Sequence, residues 1–188
     1  EVFIDSCLFV NNRQPNHVPE WQWEQFGDRY VGSTIEIYSS VHHDSLLPTI
    51  TFSNCEIRDN DDGGIFSSGP ANVNFDNVQV INTERLGIRV ESSVGNVNAR
   101  NVLIDGTAQQ DNWFGYPQEE EWIYQSAFPL LADTVTATNI TITNCDVPYL
   151  IIGKDSRPDQ VRYENFLLWN NQYDILEAAD LTPEHLVE

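Results

Sequence analysis

Two glutamates and one arginine are the residues of this sequence best suited to catalysis. Glu36, Arg89 and Glu91 lie in two short segments of alternating polar and apolar residues. Two carboxyl groups can serve as general acid and general base, and a guanidinium can bind a uronate or stabilise developing charge. The plainer interpretation is that all three are ordinary charged residues on an exposed wall. Either way, only the fold could bring these distant segments together.

Aromatic residues suggest a binding surface. Four of the five tryptophans fall in two segments, roughly 13–31 and 107–125. Flat rings pack against the apolar faces of sugars, and nearby carboxylates and amides can orient hydroxyl groups. These rings could instead pack their own segments onto the domain, or anchor a protein partner. The predicted sugar-binding residues are Trp21, Trp23, Tyr38, Phe66, Trp113, Tyr116 and Trp122.

A cluster of carboxylates suggests a cation site. Asp59, Asp61 and Asp62 lie in one short turn that ends in Gly63 and Gly64. Because Ca²⁺ prefers several oxygen ligands, the cluster could hold this ion. The alternative is a solvated turn that ends in glycine. No other cofactor is expected.

The charge of the chain limits its partners. Nine Lys and Arg residues against 29 Asp and Glu residues give a formal net charge of −20. Such a charge repels phosphate backbones, so a nucleic-acid partner is not expected. No apolar run approaches the ~18 residues of a membrane-spanning helix. The charge fits solubility, cation binding or a salty extracellular medium.

An internal repeat organises the sequence. Six segments align without gaps, and their starts give a basic period of about 23–26 residues with two insertions, at 13–31 and 107–125; the starts are Val2, Ile50, Val73, Val97, Val135 and Val161. Each segment alternates polar and apolar residues, which is typical of a strand with one buried face. Short repeats of this kind bury their apolar faces only by stacking. The pattern predicts an all-β solenoid of about six coils.

Asparagine recurs at the fifth position of these segments, where the residues are Ser6, Asn54, Asn77, Asn101, Asn139 and Asn165. Asn tolerates the left-handed backbone conformation, so it suits a one-residue corner between two strands. Stacked coils would place the amides about 4.8 Å apart. We therefore expect a ladder of hydrogen-bonded amides inside the corner.

A further strand is expected about 15 residues after each start, as at Ile65 and Ile88. Alternation along this strand turns Ile35, Ile65, Ile88 and Val90 inward. It predicts two outward columns, one of Glu36, Phe66 and Arg89 and one of Tyr38, Ser68 and Glu91. Both insertions should enter this strand from the same edge, three strand spacings or ~14 Å apart. The predicted sites would thus share one groove.

The Asn-cornered coils resemble the right-handed parallel β-helix proteins of the pectate-lyase-like superfamily, over nearly the whole chain. The resemblance implies one β-helix domain over residues 1–188 and an extracellular or cell-surface location. Proteins with this fold include polysaccharide lyases, glycoside hydrolases, uronate epimerases, phage tailspikes and adhesins, so the fold leaves the activity open. The Gly-His-Gly and Asp-Asp motifs of the polygalacturonases are missing. So is the Arg-x-Pro-x-x-Arg motif of the pectate lyases, because Arg157-Pro158 lacks the second Arg.

The ends and the cysteines complete the sequence-based model. The chain opens directly on a strand, which suggests a segment of a longer protein whose first coil contacts a neighbouring segment or a second copy. Thr182 and Pro183 predict a short C-terminal helix within a cap over about 176–188. Cys7 and Cys55 should lie in adjacent coils, close enough for a disulfide, but both side chains point the same way, so two stacked thiols are favoured over a bridge.

Two functions remain open on the sequence alone. The first is an extracellular domain that binds, and could also process, a polysaccharide or cell-surface glycan between the two aromatic insertions. The second is a structural or adhesive module that stacks end to end through its first coil and has no catalytic role.

Overall fold

The structure is a computed structural model that describes ten stretches of the chain: residues 1–11, 33–39, 46–60, 63–83, 86–91, 94–107, 127–145, 150–152, 161–171 and 176–178. Within these stretches the protein is built of strands, with no helix. Several predicted site residues lie outside the described residues, namely Trp21, Trp23, Trp113, Tyr116, Trp122, Asp61 and Asp62.

The largest sheet has seven strands. They are β1 (Val2–Asp5), β2 (Leu8–Val10), β4 (Thr49–Asn60), β6 (Asn72–Thr83), β8 (Asn96–Asp105), β10 (Thr134–Thr143) and β12 (Val161–Trp169). Their order is β1-β4-β6-β8-β10-β12, and β2 also pairs with β4. Every pairing is parallel, and Val2, Ile50, Val73, Val97, Val135 and Val161 stand in one row. This is the row that the repeat predicts.

A second sheet carries the predicted wall. It contains β3 (Ser33–Tyr38), β5 (Gly63–Ser68), β7 (Ile88–Glu91) and β9 (Leu130–Leu131), in that order and all parallel. A third sheet pairs β11 (Leu150–Ile152) with β13 (Leu176–Ala178). The three parallel sheets are compatible with a β-solenoid.

The long strands bend at residues with left-handed backbone. At the first corner, Ser6, Asn54, Asn77, Asn101, Asn139 and Asn165 all have φ between 52° and 57°. Asn77 Nδ2 donates to Asn54 Oδ1 at 2.9 Å, and the same bond joins Asn139 to Asn101 and Asn165 to Asn139, at 3.0 Å each. These Asn residues are exposed, so the expectation that their amides lie inside the corner is wrong. The inward side is occupied by apolar residues on either side of the bend.

A second corner follows five residues later. The residues there are Asn11, Asp59, Asn82, Gly106, Asn144 and Asn170, all with φ between 51° and 63°. Asn82 Nδ2 donates to Asp59 Oδ1 at 2.9 Å, and Asn170 Nδ2 to Asn144 Oδ1 at 2.7 Å. These long strands therefore have two straight parts, one on each side of the first corner. In both parts every second side chain faces the interior.

Apolar side chains from the large sheet and the second sheet fill the interior. Ile50, Val73, Val97 and Val135 form one buried row, and the rings of Phe52 and Phe75 stack with their centroids 5.3 Å apart. The three cysteines are free thiols. Cys55 Sγ donates to the carbonyl of Ile4 at 3.3 Å, and Cys7 Sγ to that of Asp5 at 3.3 Å. The stacked, unbridged pair agrees with the prediction.

The structure describes only the first residues of the predicted C-terminal cap. The expected cap over 176–188 begins as the strand β13, which pairs in register with β11, and no helix is seen in the described residues. The run Leu-Glu-Ala supplies the alternation that a strand needs, so it continues the pairing pattern. The predicted N-cap and first turn, at 182 and 183, lie outside the described residues.

Candidate functional site

The outer face of the second sheet brings five of the predicted site residues together. The register aligns Glu36 with Phe66 and Phe66 with Arg89, and it aligns Tyr38 with Ser68 and Ser68 with Glu91. These are the two columns that the sequence predicts. Ile35, Ile65, Ile88 and Val90, which stand between them on the strands, belong to the core or pack against it. We refer to Glu36, Tyr38, Phe66, Arg89 and Glu91 as the wall site.

The wall site includes an exposed aromatic ring. The Tyr38 side chain is 69% exposed, and its ring meets Phe66 edge to face with the centroids 5.8 Å apart. Its hydroxyl donates to Glu36 Oε2 at 3.2 Å. The hydroxyl and the neighbouring ring give Tyr38 a preferred orientation. A flat face with a carboxylate beside it is the combination that sugar rings require.

Arg89 is the main surprise of the wall site. It was expected to be exposed, but only 4% of its surface is accessible although it stands in the outward column. Its guanidinium lies 5.2 Å from the centroid of Phe66 and forms an ion pair with Glu91. A buried guanidinium is stabilised by a carboxylate and by the face of an aromatic ring. Arg89 therefore acts as a support beneath the site, and it is not a surface group open to a ligand anion.

The two glutamates are held apart by these contacts. Their strands, β3 and β7, are two spacings from each other, about 10 Å in total, and the two residues also stand in different columns. Retaining glycosidases place their carboxyl groups ~5–5.5 Å apart and inverting ones ~6.5–9.5 Å. Glu36 accepts from Tyr38, and Glu91 is paired with Arg89. The geometry is better suited to binding than to an acid and base pair.

Of the three residues predicted to bind Ca²⁺, the structure describes Asp59, and its contacts are those of a corner residue. Asp59 is the left-handed residue of the second corner, with a φ of 53°, and its Oδ1 accepts the hydrogen bond from Asn82. In the ten described stretches no group of three or more His, Cys, Asp or Glu side chains could hold a metal ion. Since Asp61 and Asp62 lie outside those stretches, the Ca²⁺ site stays a prediction.

The aromatic insertions are tied to the wall site by chain connectivity. Segment 12–32 leads directly into β3, and segment 108–126 leads to β9 by way of Ala127. These strands are the first and last of the four-stranded sheet, three spacings or ~14 Å apart. The prediction of a groove between the insertions concerns residues that are not described and remains a prediction.

Sequence reasoning missed two features. The first is the second corner, although Asn, Asp or Gly five residues after each first corner was visible in the repeats. The second is a buried contact between the Thr107 hydroxyl and the Cys145 thiol, 3.4 Å apart. Burial raises the pKa of the Cys145 thiol, and its hydrogen bond to Thr107 partly opposes this effect.

Comparisons with protein-family models, curated proteins and solved structures give no match to this chain. None of the described segments is a helix long and apolar enough to cross a bilayer, in agreement with the expectation from hydropathy.

Proposed function

We propose that the chain is a right-handed parallel β-helix of the pectate-lyase-like type and that its wall site binds a polysaccharide outside the cell. The observation that carries the proposal is the exposed Tyr38 ring, oriented by Glu36 and Phe66 on a parallel sheet. The aromatic insertions that lead into β3 and β9 would extend this surface over several sugar units. The proposal concerns binding, because each glutamate of the wall site is held by a neighbour.

The charges of the wall site favour neutral sugars or amino sugars. Arg89 is buried and paired with Glu91, so it does not offer a free cation to a uronate. The exposed ionisable group beside Tyr38 is the carboxylate of Glu36. The net charge of −20 also disfavours approach of an anionic polymer. This reverses the sequence-based idea that Arg89 would fix a uronate.

Affinity electrophoresis tests the proposal. The chain is run through gels that contain a neutral glucan or xylan, an amino-sugar polymer or polygalacturonate. We expect retardation in one of the first two gels and its loss in Tyr38→Ala. The control is Phe3→Ala, which removes another exposed ring from the outward face of the large sheet. No retardation by any polymer, or equal loss in both variants, would contradict the proposal.

Catalysis is tested separately from binding. Each retained polymer is incubated with the protein and examined for new reducing ends or unsaturated products. We expect none. Product formation that both Glu36→Gln and Glu91→Gln abolish, in variants that circular dichroism shows to be folded, would show that the two carboxylates act as acid and base and that the binding-only proposal is wrong.

A second candidate function is end-to-end association, as expected of an adhesive or structural module. The observation that favours it is the position of large exposed apolar side chains: Phe3 and Leu8 lie on the first strands of the large sheet, and Leu167 and Trp169 lie on β12 at its other edge. Such residues suit protein contacts. Sedimentation over a wide concentration range tests this function, and a monomer at every concentration would exclude it.

A further inference from the structure

The first straight part of the large sheet carries an array of short polar side chains on its outer face. Four consecutive strands present the tripeptides Thr49-Ile-Thr51, Asn72-Val-Asn74, Asn96-Val-Asn98 and Thr134-Val-Thr136. The central residue of each is buried, and the two flanking residues face outward. We call the eight outward residues the Thr/Asn face.

The array is regular in two directions. Thr49, Asn72, Asn96 and Thr134 stand in register, and so do Thr51, Asn74, Asn98 and Thr136. Neighbouring strands are separated by about 4.8 Å, and residues i and i+2 of one strand by about 6.6 Å. No bulge interrupts these pairings in the described strands. The face is therefore a small lattice of hydrogen-bonding groups.

Side-chain contacts hold the lattice in place. Asn96 Nδ2 donates to Asn72 Oδ1 at 3.1 Å, and Asn98 Nδ2 donates to Asn74 Oδ1 at 3.1 Å. Asn74 Nδ2 in turn donates to Thr51 Oγ1 at 3.4 Å. Each side chain retains further lone pairs or protons that can bond outward, because a side-chain amide has two donors and an acceptor with two lone pairs. The hydrogen bonds between strands thus fix the positions of the side chains that would contact a ligand.

The composition of the Thr/Asn face narrows the choice of ligand. None of its eight residues is charged, although the chain has nine Lys and Arg and 29 Asp and Glu residues. None is aromatic, so the face lacks the rings on which sugars stack. Charged and aromatic side chains lie at its border. Asp76 pairs with Arg100 in the next row, and Arg162, the register neighbour of Thr136, pairs with Glu164. The exposed ring of Phe3 is the register neighbour of Thr51. This surface complements a neutral ligand that offers hydrogen-bond donors and acceptors at a fixed spacing.

We infer that the Thr/Asn face binds ice. The surface of an ice crystal is a rigid and uncharged lattice of water molecules, and its oxygen atoms repeat at distances close to the strand spacing. An ordered water that bridges polar groups loses entropy when it is immobilised. In ice this ordering is already complete, so a matching array of hydroxyls and amides gains contacts without that cost. The inference is independent of the wall site, which lies on another sheet.

Slow freezing of a solution of the whole chain onto a cooled probe tests the inference, because ice excludes ordinary solutes and incorporates proteins that bind it. We expect the wild-type chain to enter the ice and to slow recrystallisation of a polycrystalline film. Asn98→Lys puts a long charged side chain in the centre of the face, and it should be left in the liquid. Thr136→Lys is a second variant of the same kind if the first does not fold.

Two control variants test whether incorporation into ice depends on the Thr/Asn face. Asn98→Thr keeps a short polar group of the type found at Thr51 and Thr136 in the same column, so incorporation should persist. Gln79→Lys adds the same charge to the outer side of the second straight part of β6, outside the array, and should also be incorporated. Circular dichroism confirms that each variant is folded. Exclusion of the wild-type chain from ice, incorporation of Asn98→Lys, or exclusion of Gln79→Lys would each overturn the inference.

Discussion

The side-chain amide of Asn77 donates a hydrogen bond to Oδ1 of Asn54 at 2.9 Å, from one strand of the large sheet to the next. Both residues have left-handed backbone, with φ of 57° and 52°. Asparagine thus meets two requirements at this corner. It tolerates a conformation that costs other side chains ~1–2 kcal/mol, and it links the stacked strands.

The first prediction concerns this pair. Asn77→Ala should lower the free energy of unfolding by about 2–3 kcal/mol, because it adds the left-handed strain and removes a hydrogen bond worth ~0.5–1.5 kcal/mol. Asn77→Gly removes the bond but adopts the same φ without strain, so its loss should be clearly smaller. Urea unfolding of both variants is the measurement. A larger loss for Gly than for Ala would show that strain does not govern the corner.

The second prediction compares two ion pairs of the same spacing. Arg89 pairs with Glu91, and Arg58 pairs with Glu56, but the first arginine is 4% exposed and the second 45%. Glu91→Gln should destabilise the protein by about 3 kcal/mol, because removal of one partner leaves a buried charge uncompensated. Glu56→Gln should cost less than about 1 kcal/mol, as exposed pairs do. Thermal unfolding of the two variants measures the difference. Equal shifts in melting temperature would show that burial of Arg89 does not strengthen the dependence of the fold on its ion pair.

The third prediction concerns the close approach of two strands at Gly64. A Cβ atom at this position would lie 2.2 Å from the backbone carbonyl oxygen of Gly87. Gly87 immediately precedes β7. Because its backbone cannot turn aside as a flexible side chain can, Gly64→Ala should cost about 3 kcal/mol, at the upper end for overpacking. Denaturant unfolding measures this. A loss below ~1 kcal/mol would show that β5 can shift away from β7.

Gly106 provides the matching control and the fourth prediction. It occupies the second corner with a φ of 63°, and a Cβ atom there would meet no atom closer than 3.9 Å. Asn82 and Asn144 fill the corresponding positions in the neighbouring strands. Gly106→Asn should raise stability by about 0.5 kcal/mol, because it restricts the unfolded chain at a position where Asn fits. A fall in the melting temperature would indicate that this corner needs glycine.

Much of the fold could be predicted from alternation and spacing. The aligned starts at Val73 and Val97 are paired in the structure, and so are Phe66 and Arg89. These relationships follow from the period of the repeat, since strands that stack in register keep equivalent residues side by side. The same argument fixed which side of the strand Glu36 occupies.

Alternation predicts the direction in which a side chain points, but it does not predict which residues surround that side chain. Arg89 points outward as predicted, yet it is buried against Phe66 and Glu91. The corner amides were expected inside the corner, but the left-handed Asn residues are exposed. Asp59 was grouped with its acidic neighbours, whereas its corner backbone and its bond to Asn82 set its role. Burial depends on contacts between distant residues, which a local pattern does not encode.

The last prediction concerns acid stability. Arg100 forms two hydrogen bonds with the Asp76 carboxylate, at 2.6 and 3.1 Å, and they hold the pKa of Asp76 below its usual value. A carboxyl group with a lowered pKa in the folded state stabilises the fold above its unfolded pKa, near ~3.9, and this contribution disappears as the pH falls through the folded-state pKa.

Asp76→Asn should therefore be less stable than the wild-type chain at pH 6, and the difference should shrink toward zero as the pH falls from ~3.9 through the lower folded-state pKa of Asp76. The difference should be small, because both side chains are well exposed, and added salt should reduce it further. Urea unfolding at several pH values measures it, with Thr138→Ser in the same outward column as the control. If the gap between wild type and Asp76→Asn stayed constant from pH 6 to pH 2, the pair with Arg100 would not be its cause.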